Sequence, residues 1–167
     1  MKLIDIGAYN GDSALHFISY PDIDSIDAYE PNGDFKPLWK AINKYYPNIK
    51  FFECAVGTYD GEIDYDKRPA EHSLGASTTQ SRDDFGIGQI IRVQCLDILS
   101  IIPNELFCLK IDAEGAELDI LERLIAERKS ELVDRLYVEF HTEKIQAHPA
   151  REEIIRWHFG KRLQPWQ

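Results

Sequence analysis

Residues 2–13 of this chain read KLIDIGAYNGDS, and this stretch is the strongest indication of the fold class. A short apolar run leads directly into a glycine loop, and Ala14, Leu15 and Ile18 then follow at helical spacing. A glycine just after a strand lets the backbone turn sharply and approach a ligand closely. The stretch therefore predicts a buried strand, a ligand-facing loop and a helix, which together form the opening unit of an α/β domain.

Apolar runs alternate with helix-period segments along the rest of the chain, which predicts a mostly parallel sheet with helices on both faces. We expect a third strand over Lys50–Val56, a long helix over Glu117–Leu132 and a last helix over Ala150–Trp157, with Trp157 packed against the protein. A predicted hairpin turn at Tyr59–Gly61 opens an insertion at about 58–90. With no linker-like stretch, residues 1–167 are expected to form one domain.

Composition limits the classes of function. The chain carries 19 Lys and Arg against 29 Asp and Glu, a net charge of −10, which opposes binding to nucleic acid or to an anionic membrane. It contains no apolar run of the ~18 residues that a membrane span needs, and its first apolar run is too short for a signal peptide. Cys54, Cys95 and Cys108 fit no zinc spacing, which predicts buried free thiols and a cytoplasmic location.

Two glycine templates can be compared with the first loop. The dinucleotide pattern G-x-G-x-x-G fails, because Tyr9 and Asp12 stand where its second and third glycines should be. The pattern D-x-G-x-x-x-G, found in class I S-adenosylmethionine-dependent methyltransferases, fits at Asp5, Gly7 and Gly11. A plain strand–turn–helix without a ligand remains the alternative.

Glu30 ends the second predicted strand, a short distance after the glycine loop. A carboxylate at this point can accept hydrogen bonds from both ribose hydroxyls of a bound nucleoside. The alternative is a solvated loop acid. The glycine loop, its spacing from Glu30 and the position of Glu30 at the end of a strand together favour a nucleoside cofactor over that alternative.

Residues 109–121 read LKIDAEGAELDIL and follow an apolar strand. The acids expected to gather at the strand ends, together with one histidine, are Asp112, Glu114, Glu117, Glu139 and His141. Acids packed this densely repel one another unless they are paired, so the cluster predicts a functional site. Neutralisation by Lys110 or by a helix N-terminus is the alternative for one of Glu114 and Glu117.

These motifs resemble the FkbM family of methyltransferases. LKIDAEGAE at 109–117 keeps every fixed residue of the family's LKIDxEGxE block, and the similarity extends to DIGAYNGDS at 5–13, YEP at 29–31, AVG at 55–57 and VEFH at 138–141. The resemblance implies a Rossmann-like class I methyltransferase sandwich that binds S-adenosylmethionine. It also implies methyl transfer to a hydroxyl of a sugar, a glycan or a similar polyhydroxyl acceptor.

The chain departs from the family pattern at both ends. It starts at the first strand and ends soon after the fifth, so we expect the final antiparallel strands to be shortened or missing. An open site of this kind suits a large acceptor. We expect homo-oligomerisation or the insertion at about 58–90 to cover the site. A catalytically silent S-adenosylmethionine-binding module of a larger assembly is the alternative function.

Specific residues are expected to hold the cofactor. They are Asp5, Gly7, Ala8, Tyr9, Gly11, Ser13, Glu30, Ala55, Val56 and Asp112. The glycine loop lines the methionine part, Ser13 donates to its carboxylate, and Asp5 supports the loop or meets the amino group. Glu30 takes the ribose, while Ala55 and Val56 contact adenine.

An alcohol acceptor must lose a proton, and a base near it accelerates the reaction by ~10²–10⁴-fold. His141 is the first candidate, because the ordinary histidine pKa is about 6.5, and Asp112 or Glu114 is the second. The residues expected to contact the acceptor are Glu117, Glu139 and Ser73. The acids are compatible with a divalent cation, but the sequence predicts no metal.

Overall fold

The computed structural model describes residues 1–67, 89–142 and 147–165, which contain nine strands and five α-helices. The strands are β1 (Lys2–Ile6), β2 (Ser25–Tyr29), β3 (Ile49–Phe52), β4 (Ala55–Gly57), β5 (Gly61–Lys67), β6 (Gln89–Asp97), β7 (Phe107–Ile111), β8 (Val133–Val138) and β9 (Leu163–Gln164). The helices are α1 (Asp12–Phe17), α2 (Lys36–Tyr45), α3 (Ile98–Ile101), α4 (Glu117–Ala126) and α5 (Pro149–Phe159).

A six-stranded sheet of order β3-β2-β1-β7-β8-β9 forms the centre of the fold, and every neighbouring pair in it is parallel. The central strand β1 pairs with β2 from Lys2 opposite Ser25 and with β7 from Lys2 opposite Phe107. The predicted α/β class with a Rossmann-like sheet is confirmed. Because all strands run the same way, their carboxyl ends meet at one edge, where such sheets bind ligands.

Alternate residues of β1 pack into two separate cores, one on each face of the sheet. Leu3 belongs to the core that α1 and α2 cover with Ala14, Phe17, Trp39 and Ile42. Ile4 belongs to the core that α4 and α5 cover with Leu118, Leu121, Leu124, Ile155 and Phe159. Burial of each such side chain stabilises the fold by about 1.5–3 kcal/mol. Helices therefore cover both faces, as predicted.

A second, three-stranded sheet of order β4-β6-β5 corrects the prediction of one strand over Lys50–Val56. The chain leaves the main sheet after Phe52, turns through Glu53 and Cys54, and enters the second sheet as β4. The Cys54 N–H donates to the Phe52 carbonyl at 3.0 Å, which makes this turn tight. We call β4, β5 and β6 the small sheet.

The turn predicted at Tyr59–Gly61 exists, but it does not join a hairpin. It connects β4 to β5, and these two strands pair with β6 instead of with each other. β5 is antiparallel to β6 from Gly61 opposite Cys95 to Lys67 opposite Gln89, whereas β4 is parallel to β6.

The carboxyl-terminal part of the chain also differs from prediction. The helix expected over Glu117–Leu132 ends at Ala126, because Arg128 adopts a left-handed conformation (φ 57°) before a 3₁₀ turn. The tail adds the parallel strand β9 beside β8. Trp157 is 82% exposed, so the prediction that it packs against the protein was wrong. Within the described ranges, none of the helices has the length and apolar character to cross a membrane.

Candidate functional site

A cavity lies at the carboxyl ends of β1, β2 and β7, and the small sheet contributes one of its walls. The loop after β1 supplies Gly7 and Tyr9, the end of β2 supplies Glu30, and the loop after β7 supplies Asp112 and Glu114. Loops from three neighbouring parallel strands thus converge where an α/β sheet binds its ligand.

Gly7 brings these loops into direct contact. It adopts a φ of 74°, and a Cβ built on it would lie 1.8 Å from the carbonyl oxygen of Asp112. The N–H groups of Gly7 and Ala8 both donate to the Tyr29 carbonyl, at 3.0 and 3.1 Å. Only glycine tolerates this conformation and this approach together. The first glycine of the predicted loop therefore joins the ends of β1, β2 and β7.

Lys110 and Asp5 form a buried ionic support under the glycine loop. Lys110 Nζ donates to the Gly7 carbonyl at 2.8 Å, and it lies 3.2 Å from Asp5 Oδ1 and 3.9 Å from Asp112 Oδ2. Ser13 donates its hydroxyl to Asp5 Oδ2 at 2.6 Å. Of the two roles expected for Asp5, this geometry favours loop support. The expected donation from Ser13 to a cofactor does not agree with it, because the Ser13 proton is already used.

Glu30 is a buried carboxylate on the cavity wall, with an exposed fraction of 6%. Its Oε2 accepts the Tyr9 N–H at 3.1 Å, and its Oε1 accepts the Asn32 N–H at 2.8 Å. Burial raises the pKa of Glu30 to about 7, although both N–H groups and Lys110 act in the opposite direction. The carboxylate is held in one orientation and keeps lone pairs for further hydroxyl donors.

Apolar side chains form the wall next to Glu30. Tyr29 and Phe35 come from the β2 side of the cavity, and Cys54, Ala55 and Val56 come from the entrance to the small sheet. The Tyr9 and Phe35 rings meet edge to face with their centroids 4.6 Å apart. An apolar slot beside a carboxylate fits a purine and its ribose. Ala55 and Val56 lie where the sequence predicted adenine contacts.

Tyr65, on β5, also lines the cavity, and the sequence reasoning did not select it. Its exposed fraction is 4%. Burial raises the pKa of Tyr65, and the nearby carboxylates of Glu30, Asp66 and Glu114 raise it further. The alternation in GEIDYDK places Tyr65 on the inner face of a strand, but nothing in the sequence places it against Glu30.

Asp112 and Glu114 face the cavity from the loop after β7. The Asp112 side chain is 29% exposed, and burial raises its pKa to about 6; Lys110 opposes this shift and Glu139 adds to it. Glu114 adopts a left-handed conformation with a φ of 52°. Such strain costs a non-glycine residue roughly 1–3 kcal/mol and concentrates at functional sites.

Glu117 and His141 form a buried pair behind these two acids. Glu117 is 1% exposed, and its Oε1 accepts the N–H groups of Ala113 and Gly115 at 3.0 and 2.9 Å. The same oxygen lies 2.9 Å from His141 Nδ1. Burial opposes the charged form of Glu117, but the hydrogen bonds from His141 and Gly115 prevail and lower its pKa. The expected acceptor contact by Glu117 does not agree with this burial.

His141 presents its other nitrogen to three carboxylates. Nε2 lies 3.5 Å from Glu114 Oε2, 3.5 Å from Glu139 Oε1 and 4.0 Å from Asp112 Oδ1. Among the described residues, Asp112, Glu114 and His141 offer ligand atoms that all lie within 4.8 Å of one another. Their donor types suit a divalent cation, but acids also gather in this way without one. The geometry assigns no metal.

The structure thus separates the predicted site residues. Those on the cavity wall are Gly7, Tyr9, Glu30, Ala55, Val56, Asp112 and Glu114. Those outside the wall are Asp5, Ala8, Gly11, Ser13, Glu117, Glu139 and His141. Ala8 is 1% exposed and packs in the core, and a Cβ on Gly11 would lie 2.5 Å from Ile42 Cδ1, so both serve packing. Ser73 lies outside the described residues.

An open parallel sheet with a glycine loop after its first strand and an acid after its second is typical of domains of the Rossmann-like class. The family model described as "Methyltransferase FkbM domain" matches residues 5–163, so the chain belongs to the FkbM methyltransferase family.

The fold is similar to that of a solved structure, the methyltransferase FkbM from Methylobacillus flagellatus KT. The TM-score is 0.55 at 17% sequence identity, over 82% of this chain and 32% of that one. This chain therefore spans about a third of the length of that protein. No curated protein matches the chain.

Proposed function

We propose that this domain binds S-adenosylmethionine in the cavity and transfers a methyl group to a hydroxyl oxygen of a sugar, a glycan or a similar polyhydroxyl acceptor. The observation that carries the proposal is Glu30. Its buried carboxylate lies on the cavity wall between the glycine loop and the apolar slot, and two backbone N–H groups hold it in place. This is the arrangement that a ribose next to a purine requires.

The residues that line the cavity fit two parts of this cofactor, the ribose and the purine ring. Glu30 accepts from the ribose, and the slot formed with Ala55 and Val56 takes the purine ring. The bound cofactor supplies an activated methyl group together with a neutral leaving group. Orientation and proximity are then the main contributions of the protein.

Asp112 is the residue that we assign to accept the proton of the acceptor hydroxyl. It lines the cavity, it is partly exposed, and its pKa of about 6 makes it a stronger base than an ordinary aspartate. His141 was the first candidate from the sequence, but its side chain is only 6% exposed and lies behind Asp112 and Glu114. We assign it to positioning these two acids, with Glu117 fixing its ring through Nδ1.

The charge of the site favours a polyhydroxyl acceptor over an anionic one. Asp112 and Glu114 line the cavity, and Glu139 lies beside them with 56% of its side chain exposed. Carboxylates accept hydrogen bonds from hydroxyl groups and repel phosphate or carboxylate groups. The net charge of −10 acts in the same direction over longer distances.

Calorimetric titration with S-adenosylhomocysteine tests the cofactor site, with NAD as the control ligand. Micromolar binding by the wild type and a loss of about 10–100-fold in Glu30→Ala would support the proposal. Glu127→Ala serves as the matched control, because Glu127 follows directly after α4, is half-exposed and pairs with Arg123. No binding by a folded wild type, or equal losses in both variants, would contradict it.

Transfer of a labelled methyl group to a panel of neutral glycans tests the reaction. Asp112→Asn is expected to lower the turnover by about 10²-fold or more while S-adenosylhomocysteine still binds. Cofactor binding without turnover on any hydroxylated acceptor would instead favour the silent binding module.

A further inference from the structure

Lys110 carries a positive charge into the interior of the main sheet. It belongs to β7, it is only 2% exposed, and it lies directly opposite Asp5 of β1 in the strand register. Removal of an ammonium group from water is costly unless other groups compensate for it. The groups around Lys110 Nζ therefore show what this buried charge does.

The Lys110 ammonium group forms its hydrogen bond with the glycine loop. Nζ donates to the Gly7 carbonyl at 2.8 Å. It lies 3.2 Å from Asp5 Oδ1, yet that oxygen accepts no hydrogen bond from the residues that the structure describes. A lysine that served only to neutralise Asp5 would direct a proton to this carboxylate. The observed donation to a loop carbonyl therefore indicates a second role for Lys110, at the glycine loop.

The same ammonium group acts on Asp112, whose Oδ2 lies 3.9 Å from Nζ. Burial raises the pKa of Asp112 to about 6, and the charges of Glu139 and Glu114 add to this rise. Lys110 is the strongest influence in the opposite direction, ahead of His141. Without the Lys110 charge, the pKa of Asp112 should be higher by about 1–2. Most of this carboxyl would then be protonated at neutral pH.

We propose that Lys110 is a positioning residue of the reaction: its buried ammonium group holds the glycine loop against Asp112 and keeps the Asp112 carboxylate charged, and so able to accept a proton, at neutral pH. This inference rests on the proposed function of the cavity. Lys110 itself exchanges no proton in this role. One cation then serves both the loop that receives the cofactor and the group that receives the proton, because Gly7 lies against the Asp112 backbone.

An NMR titration of the Asp112 carboxyl carbon tests this role without measuring activity. We expect the pKa of Asp112 to be higher by about 1–2 in Lys110→Met than in the wild type. Because this substitution leaves Asp5 as a buried charge without its cation, the double variant Lys110→Met with Asp5→Asn is titrated beside it. The double variant removes both buried charges, and the pKa of Asp112 should again rise.

Lys2→Met provides the matched control. Lys2 begins β1 at the opposite edge of the same sheet, and its Nζ lies 2.7 Å from Asp27 Oδ2. This variant also removes a lysine from an ion pair, but it should leave the titration of Asp112 unchanged. Thermal melting of every variant checks that the fold is retained.

The pH dependence of methyl transfer to the neutral glycans separates the charge of Lys110 from its packing. Both Lys110 variants should turn over more slowly than the wild type at pH 6.5. Their deficit should shrink by about fivefold or more between pH 6.5 and pH 9, because Asp112 is ionised in all the proteins at high pH. A purely structural role for Lys110 would give the same deficit at every pH.

The outcomes separate the two proposals. If the wild type binds S-adenosylhomocysteine but the titration of Asp112 is the same in all the proteins, Lys110 does not control this carboxylate and only this inference fails. A turnover deficit that is independent of pH would overturn it as well. A folded wild type that binds no S-adenosylhomocysteine would overturn the proposed function and this inference together.

Discussion

Two buried glutamates at the same edge of the sheet behave in opposite ways. Glu30 follows β2 and Glu117 opens α4, and both accept backbone N–H groups from neighbouring loops. Burial prevails at Glu30 and raises its pKa to about 7. At Glu117, burial is outweighed by His141 and Gly115, and the pKa falls.

This difference indicates that the Glu117 carboxylate is structural, whereas we propose that the Glu30 carboxylate receives a ligand. The Glu117 carboxylate, next to its imidazole partner, has its interactions completed within the protein. Glu30 borders a cavity and is destabilised as an anion until further hydroxyl donors reach it. Four measurements test this contrast between Glu30 and Glu117.

Truncation of the two glutamates should cost different amounts of stability. Glu117→Ala is expected to lower the free energy of unfolding by about 3 kcal/mol, because it leaves His141 and two buried N–H groups without their acceptor. Glu30→Ala should cost only about 1 kcal/mol, since it also removes a poorly stabilised charge. Urea unfolding at pH 7.5 measures both values. Equal losses, or a larger loss for Glu30→Ala, would break the contrast.

Glu30 and Glu117 should also make the stability of the fold depend on pH in opposite directions. The Glu30 contribution is complete below its ordinary pKa of 4.5 and is lost as the pH rises through about 7. The Glu117 contribution is present above 4.5 and is lost as the pH falls. Between pH 5 and pH 8, the wild type should lose about 2–3 kcal/mol more than Glu30→Gln, which cannot ionise.

Urea unfolding of both proteins at pH 5 and pH 8 gives this difference directly. Asp112 titrates in both of them, so its raised pKa cancels in the comparison. Parallel pH profiles for the wild type and Glu30→Gln would show that Glu30 is already satisfied in the free protein.

Cofactor affinity should follow the ionisation of Glu30. Hydroxyl donors favour its charged form, so below pH 7 the protein must release a proton when the ligand binds. S-Adenosylhomocysteine should therefore bind about tenfold more weakly at pH 6 than at pH 8. Calorimetry in two buffers of different ionisation enthalpy reports the proton released. Glu30→Gln should not release this proton when the ligand binds. Proton release that persists in this variant would assign the proton to another group.

The smallest effect concerns Glu139, the most exposed of the three carboxylates near His141 Nε2. Glu139→Ala should lower the pKa of Asp112, because the Glu139 charge is one cause of its upward shift. The change in stability should stay below about 0.5 kcal/mol, since Glu139 is 56% exposed. An NMR titration of the Asp112 carboxyl carbon measures the shift. Glu131→Ala, before the start of β8, is the control and should leave that titration unchanged.

Much of this arrangement follows from local sequence signals. The apolar runs predict the strands of the main sheet, and the positions of Gly7, Glu30 and Asp112 after those strands predict that they meet. The cluster around His141 is also predicted, because the loops after β7 and β8 end at the same edge. Because the strands are parallel, residues that are far apart in the chain come together at one edge of the sheet. This can be predicted without knowing any side-chain contact.

The remaining features depend on contacts that no local pattern encodes. Lys50–Val56 is mostly apolar and contains no glycine or proline, so the sequence does not show that it divides between two sheets at Glu53 and Cys54. The donation from Ser13 to Asp5 depends on a side-chain orientation inside the folded loop. Tyr65 joins Glu30 on the cavity wall only after the small sheet has formed, across a long separation in the chain.

The three cysteines are buried free thiols, and they are distributed over both sheets and the turn between them. Cys108 lies on β7 of the main sheet, Cys95 on β6 of the small sheet, and Cys54 in the turn between the two sheets. A buried thiol reacts with an alkylating reagent only when its surroundings open. The rates at which the three positions become labelled, read by mass spectrometry of peptides, would therefore show whether the two sheets come apart separately or unfold as one cooperative unit.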